Sequence, residues 1–139
     1  MVLHKRLEFT TGGDTDIIDL TGDVSNIIRE TGISSGLVHI FAPGSTAAIT
    51  TVEYEDGLVR DIRQLMDELI PRGRDWAHNL TWGDGNGHSH LRASLFGPSL
   101  SVPIIDGLLI LGTWQQVIFI DFDNRPRNRS IVVTLVGEE

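Results

Sequence analysis

At 139 residues the chain has the length of one ordinary domain, and its 40% apolar and 22% charged residues match a protein that folds around a core, which excludes a disordered or membrane-embedded chain. Nineteen acidic against eleven basic residues leave a net charge of −8, which repels polyphosphate backbones and excludes nucleic acid as a partner. The absence of cysteine excludes disulfides, thiolate metal sites and a cysteine nucleophile, so any metal must be held by imidazole and oxygen.

No apolar run reaches the length of a membrane span, and Met1–Glu8 shows no apolar stretch followed by small residues, so a cytoplasmic protein is expected. There is no repeat, low-complexity segment or linker, and residues 1–139 read as a single domain. His4–Thr10 is a plausible strand, and Thr15–Leu20 is expected to pair with it as a hairpin across Thr11-Gly-Gly-Asp. Thr21 or Asp23 can cap a helix with Val24, Ile27 and Ile28 on one face, ended by Gly32. Two strands follow, Gly36–Ala42 and the threonine-rich Ala47–Tyr54. Asp56 opens the clearest helix: Leu58, Ile62, Leu65 and Leu69 recur at helical spacing as its core face, and Pro71 lies just past its end.

Residues 72–90 are rich in glycine and lack apolar periodicity, which predicts a long irregular loop of the kind that usually carries function. Leu91–Phe96 can form a short helix stopped by Gly97-Pro98, and strands are predicted over Ser101–Ile105, Leu108–Leu111, Gln115–Phe122 and Ser130–Val136. Seven or eight strands and two main helices, grouped rather than alternating, point to an α+β domain.

Three of the five histidines fall in the predicted loop: His78, then His88 and His90 in Gly83-Asp-Gly-Asn-Gly-His-Ser-His. In an extended segment His88 and His90 would point to the same side, and neutral imidazoles can ligate a divalent cation without mutual repulsion. His78, His88 and His90 are therefore the candidate metal ligands, with zinc or magnesium the candidate ions; a solvent-facing glycine-rich loop is the plain alternative. Asp84 and Asn86 can orient imidazoles or simply form turns, and His39 and His4 read as structural. Glu53 ends the strand Ile49-Thr-Thr-Val-Glu, where it can ligate, act as a base or mark the strand end. In Gly112-Thr-Trp-Gln, Trp114 can stack on a ring or fill the core, while Gln115 can read a ring edge or phosphate or satisfy a backbone group. Arg125, Arg127 and Arg129 form a local cationic cluster able to hold one small anion; Arg72 and Arg74 read as solvated loop charges. Walker, dinucleotide and G-x-S-x-G signatures are absent.

Four segments together resemble the YjbQ family, also called UPF0047 or the secondary thiamine-phosphate synthase family: Gly44-Ser-Thr-Ala-Ala-Ile-Thr-Thr-Val-Glu53; His78 with Gly87-His-Ser-His-Leu-Arg-Ala-Ser-Leu-Phe-Gly97; Gly112-Thr-Trp-Gln115; and Arg127-Asn-Arg129 leading to Gly137-Glu138. The resemblance implies a β-sandwich-like α+β fold with helices outside, a homotrimer, and a site of Glu53, His78 and His90 near subunit boundaries. The family's enzymatic label implies joining a thiazole phosphate to a pyrimidine pyrophosphate, a reaction on small phosphorylated substrates that wants a divalent cation and cationic side chains, for which Arg92, Arg127 and Arg129 are available. A trimeric module that binds a small ligand or metal without turnover is the alternative. The chain departs from the pattern: some members carry His-Thr-Ser where it has Gly44-Ser-Thr, asparagine at Val52 and proline at His88. The expectation that follows is that His88 supplies the missing imidazole from the other side of the site.

Overall fold

Eight strands and four helices follow one another as β1 (Val2–Thr11), β2 (Asp16–Asp19), α1 (Thr21–Thr31), β3 (Ser35–Phe41), β4 (Ala47–Val52), α2 (Asp56–Leu69), α3 (Ala77–Trp82), α4 (Gly87–Phe96), β5 (Ser99–Ile105), β6 (Leu108–Leu109), β7 (Gln116–Asp121) and β8 (Arg127–Glu138) in the computed structural model, which describes residues 1–139. All strand pairs are antiparallel. They make a five-stranded sheet, β1-β8-β3-β5-β6, and a three-stranded sheet, β2-β7-β4. The α+β class expected from the grouping of elements is the class observed.

Alternation explains the larger sheet. Val38 and Ile40 of β3, Val102 and Ile104 of β5, and Ile131, Val133 and Leu135 of β8 turn inward onto Val117 and Phe119 of β7 and onto Val24, Ile27 and Ile28 of α1. Strand β7 has no alternation in Val117-Ile-Phe-Ile because both its faces are covered. Val117 and Phe119 join the core between the sheets, whereas Ile118 and Ile120 pack with Ala48, Met66 and Ala93 under α2 and α4. Burying each such side chain contributes roughly 1.5–3 kcal/mol; the larger core lies between the sheets and under α1, and a smaller one supports α2 and α4.

Four sequence expectations need correction. The segment after β1 does not fold back as a hairpin: β2 pairs with β7, Ile17 opposite Ile120. Asp14 and Thr15 take positive φ, and a side chain at Gly13 would collide with the Arg125 carbonyl, so the chain crosses from one sheet to the other through a tightly packed bend. Neither Thr21 nor Asp23 caps α1; the Thr21 hydroxyl instead accepts a 2.9 Å bond from the Val117 N–H, while Gly32 ends the helix at φ 74 as expected. The start of α2 is as read, but its cap is Glu55, whose carboxylate accepts from the N–H groups of Gly57 and Leu58. The leucine stripe of α2 is only partly core: Val59, Ile62 and Met66 pack on the small sheet, while Leu65 and Leu69 are 49% and 57% exposed, because a three-stranded sheet contacts only a narrow strip of the helix.

The fourth correction bears on the site. Residues 72–90 are not an irregular loop: they contain α3 and the first turn of α4. Trp76 anchors the segment by donating its indole N–H to the Pro71 carbonyl at 2.9 Å, and Arg74 lies over its ring. No helix is long and apolar enough to cross a membrane.

Candidate functional site

The site starts from a close approach between α3 and α4. The side-chain oxygen of Asn79 accepts from the Gly87 N–H at 2.8 Å. A β-carbon on Gly87 would stand 2.8 Å from that of Trp76 and 2.9 Å from the same Asn79 oxygen, so only glycine lets the two helices meet here. Their meeting brings His78 and His90 together, with ring centroids 4.3 Å apart and planes tilted by 40°. The Nδ1 of His78 is buried without a hydrogen-bond partner, and the nearest carboxylate oxygen, on Asp84, is 4.0 Å away. Burial and then the neighbouring His78 imidazole hold His90 below its ordinary pKa, against the opposing pull of Asp123 and Asp84. His90 is thus held toward its neutral form, available as a nitrogen ligand or hydrogen-bond partner beside His78.

His88 is not part of this pair. Because α4 begins at Gly87, residues two apart are turned by about 200° around the helix, and the two imidazoles that a strand would place side by side point apart. His88 is wholly buried, its Nδ1 unpartnered and its Nε2 3.4 Å from the Ser89 hydroxyl. Burial, then Arg92 and Arg72, lower its pKa. No three His, Asp or Glu side chains of this chain converge as a metal-binding group, so within one chain the expected His78, His88 and His90 triad is reduced to the His78–His90 pair.

Beside the pair lies a cleft of about 300 Å³, with Gly44, Ser45 and Ala47 on one side, His90, Ala93 and Ser94 on the other, and Gly97-Pro98 at its end. It lies at the start of β4. Glu53 lies past the other end of that strand, six residues and about 20 Å from Ala47 at strand rise, exposed and outside the cleft. Trp114 and Gln115 are at the same far end. Gln115 donates to the Thr51 hydroxyl and accepts from the Gly112 N–H, locking its own loop to β4, and Trp114 is 71% exposed, which excludes the core-filling alternative. Within one chain, then, His78 and His90 meet, and Glu53, Trp114 and Gln115 form a separate group.

The arginines sort just as sharply. Arg92 is buried in the interior, with its donors on the Ile70 carbonyl, the Thr15 hydroxyl and Asp67, so it ties α4 to the end of α2 and has no face for a substrate. Arg127 bonds Asp123, and Arg129 bonds Asp121 through both Nε and Nη2 while also reaching the Thr46 hydroxyl. Both aspartates have no solvent exposure. Burial raises Asp123, but hydrogen bonds from Arg127, the Asn124 N–H and Asn86, with the Arg127 charge, outweigh it and hold the carboxyl below the usual range. Hydrogen bonding to Asp121 likewise raises Arg129. These two aspartates are missing from the sequence-derived site, although Asp-Phe-Asp closing an apolar strand just before three arginines is the signal that acids there need cations. Through Asn86, Asp123 also touches the turn that starts α4 and so helps place His90.

The geometry can be set beside known proteins. The family described as UPF0047 protein YjbQ-like matches residues 5–138. The chain belongs to this family. The YjbQ-like chain is 38% identical over 137 residues to a UPF0047 protein of Methanothermobacter thermautotrophicus, covering 99% of this chain and 94% of that one, and 38% identical to UPF0047 protein YugU of Bacillus subtilis over 96% and 98%. In three dimensions it is similar to a YbjQ-like protein of unknown function from Sulfolobus solfataricus, with a TM-score of 0.94, 35% identity and 99% of each chain covered. Membership was legible in the four motifs.

Proposed function

We propose that this YjbQ-like protein is a small-ligand-binding module of the cytoplasm whose site is the His78–His90 pair and the cleft against Gly44 and Ser45. The observation that carries the reading is the 4.3 Å approach of two imidazoles, one of which lines the cleft while the other keeps a buried, unpartnered Nδ1. A buried polar atom left unsatisfied beside a second imidazole argues for a ligand that satisfies it. The donor set also fits a divalent ion in part: His78 and His90 would hold it, zinc being better suited to imidazole than magnesium, and such an ion would polarise a bound oxygen or nitrogen. The remaining coordination positions would be filled by ligand, water or a second subunit.

We also propose assembly as a homotrimer. The support is the apolar surface left on the outer sides of α2 and α4, where Leu65, Leu69 and Leu95 are each about half exposed or more. The transferase reading draws less support. It needs free cations for a departing pyrophosphate, and Arg92 and most of the donors of Arg127 and Arg129 are already committed.

The test is zinc titration of untagged protein followed by calorimetry and light scattering. His78→Ala and His90→Ala abolish zinc binding, His88→Ala leaves it intact, and scattering gives three times the chain mass. Retained affinity in both single variants of the pair would overturn the site, and turnover of thiazole phosphate with pyrimidine pyrophosphate would establish the enzyme in place of the module.

A further inference from the structure

We infer that the cleft beside Gly44 takes a compact organic monoanion, with its carboxylate on the free Nη1 of Arg129 and its body against His90. The inference rests on the reading of the His78–His90 cleft as a ligand site and names the class of ligand.

The cleft exists because side chains are missing from its walls. Apart from His90, every lining residue is glycine, alanine, serine or proline, and a volume near 300 Å³ is at the small end for ligand pockets. The walls present methyl and methylene groups, with the Ser45 and Ser94 hydroxyls exposed and a single imidazole as the directional polar group. That lining suits a small ring or short chain better than a sugar or a nucleotide.

The anion anchor is a separate observation. Nε and Nη2 of Arg129 are fixed on Asp121 and Thr46, which leaves Nη1 without a protein acceptor. A β-carbon on Gly44 would stand 3.4 Å from that Nη1. An acceptor oxygen in the place a side chain would take is therefore at hydrogen-bonding range, and Gly44 keeps the place open with φ at +118, where L side chains rarely sit. The guanidinium is already oriented by Asp121, so binding spends little entropy in ordering it.

Charge selects a carboxylate over a phosphate. Arg127 and Arg129 are matched by Asp123 and Asp121, so the two pairs sum to zero, and Nη1 is the one nitrogen of Arg129 left for the ligand. A dianionic phosphate would meet two carboxylates within the same network and find too few donors; a monoanion asks for one.

The experiment is heteronuclear NMR on the full chain at fixed pH and ionic strength, titrated separately with benzoate, nicotinamide, inorganic phosphate and zinc. Benzoate is expected to move the Gly44 amide and the His90 ring signals together and saturably. Ser45→Leu and Ser94→Leu, which fill the cleft from exposed positions, are expected to weaken that response at least tenfold with an unchanged Tm. Benzoate binding equally well to both leucine variants would overturn the inference. So would phosphate, nicotinamide or zinc moving the His90 ring where benzoate does not, an outcome that leaves the His78–His90 site standing. A His90 ring indifferent to all four probes overturns the inference and the site together.

Discussion

Arg129 grips Asp121 with two nitrogens, Nε to Oδ2 at 2.7 Å and Nη2 to Oδ1 at 2.8 Å, and the carboxylate it holds is closed to solvent. A buried ion pair is weak evidence for stability as a pair, but removing one partner leaves the other uncompensated. Arg129→Met is therefore expected to destabilise the fold by about 3–5 kcal/mol, read from urea unfolding. Asp121→Asn keeps one acceptor oxygen but turns its amide nitrogen onto a donor that the second carboxylate oxygen now accepts from, so it too should be destabilising. The double variant should lose less than the sum of the two singles, since each removes the reason the other is harmful. Strict additivity would mean that the pair is not coupled.

Gly87 sets the distance between His78 and His90. A methyl group there would overlap Trp76 and Asn79, so Gly87→Ala is expected to force α3 off α4 at about 1–3 kcal/mol and to abolish the nuclear Overhauser contact between the two imidazoles. Gly22→Ala is the control. It meets nothing within 4 Å in an exposed turn of α1, and helix propensity alone should make it neutral or slightly stabilising. Retention of the imidazole contact in Gly87→Ala would show that the side chain of Asn79, not the glycine, sets the approach.

Arg92 separates a structural arginine from a binding one. It holds the Ile70 carbonyl at the end of α2 through Nε at 3.0 Å and Nη2 at 2.9 Å, from a side chain only 2% exposed. Arg92→Met should cost roughly 3 kcal/mol or more by orphaning that carbonyl and the Thr15 hydroxyl, while zinc affinity of the folded fraction stays unchanged. Asp67, its 73% exposed partner, is worth little: Asp67→Asn should shift stability by less than about 1 kcal/mol. Loss of zinc affinity in Arg92→Met at full occupancy of the fold would return Arg92 to the binding site.

The elements that the sequence announced are those with local causes. Helix α2 shows its start in Asp56 and its end before Pro71, and β3, β5 and β8 show one buried face each. The histidine region reads as a loop because α3 is a single short helix with no apolar period, ended by Gly83 at φ 71, so nothing local in the sequence distinguishes it from one. The consequence reaches the site: spacing that means one side in a strand means opposite sides in a helix, and His88 and His90 lie on the first turn of α4. The resemblance groups Glu53 with His78 and His90 near subunit boundaries, and within one chain the register of β4 against β7 sets it past the far end of the strand. The burial of Asp121 and Asp123 is a tertiary fact, since it takes Thr11, Thr46, Asn86 and two arginines from distant segments to enclose them.

His88 makes the last prediction, on pH. Burial and the nearby Arg92 and Arg72 lower its folded pKa below the ordinary 6.5, and His90 is lowered by burial and by His78. Below pH 6.5 the unfolded chain binds protons that the folded chain refuses, so unfolding takes up protons and stability falls as pH falls through the window beneath 6.5; above it both states are neutral and the curve is flat. Asp123, also lowered, adds a second loss of the same sign beneath 3.8, where the unfolded carboxyl is protonated first. The wild-type urea midpoint should therefore be level above neutrality and decline in acid in two stages. His88→Leu removes a buried ring whose Nδ1 has no partner, so it forfeits no strong hydrogen bond and should hold stability at pH 7.5 to within about 1 kcal/mol, while making the first stage shallower. A first stage unchanged in His88→Leu, and abolished instead in His90→Ala, would assign the acid sensitivity of the fold to the site histidine alone.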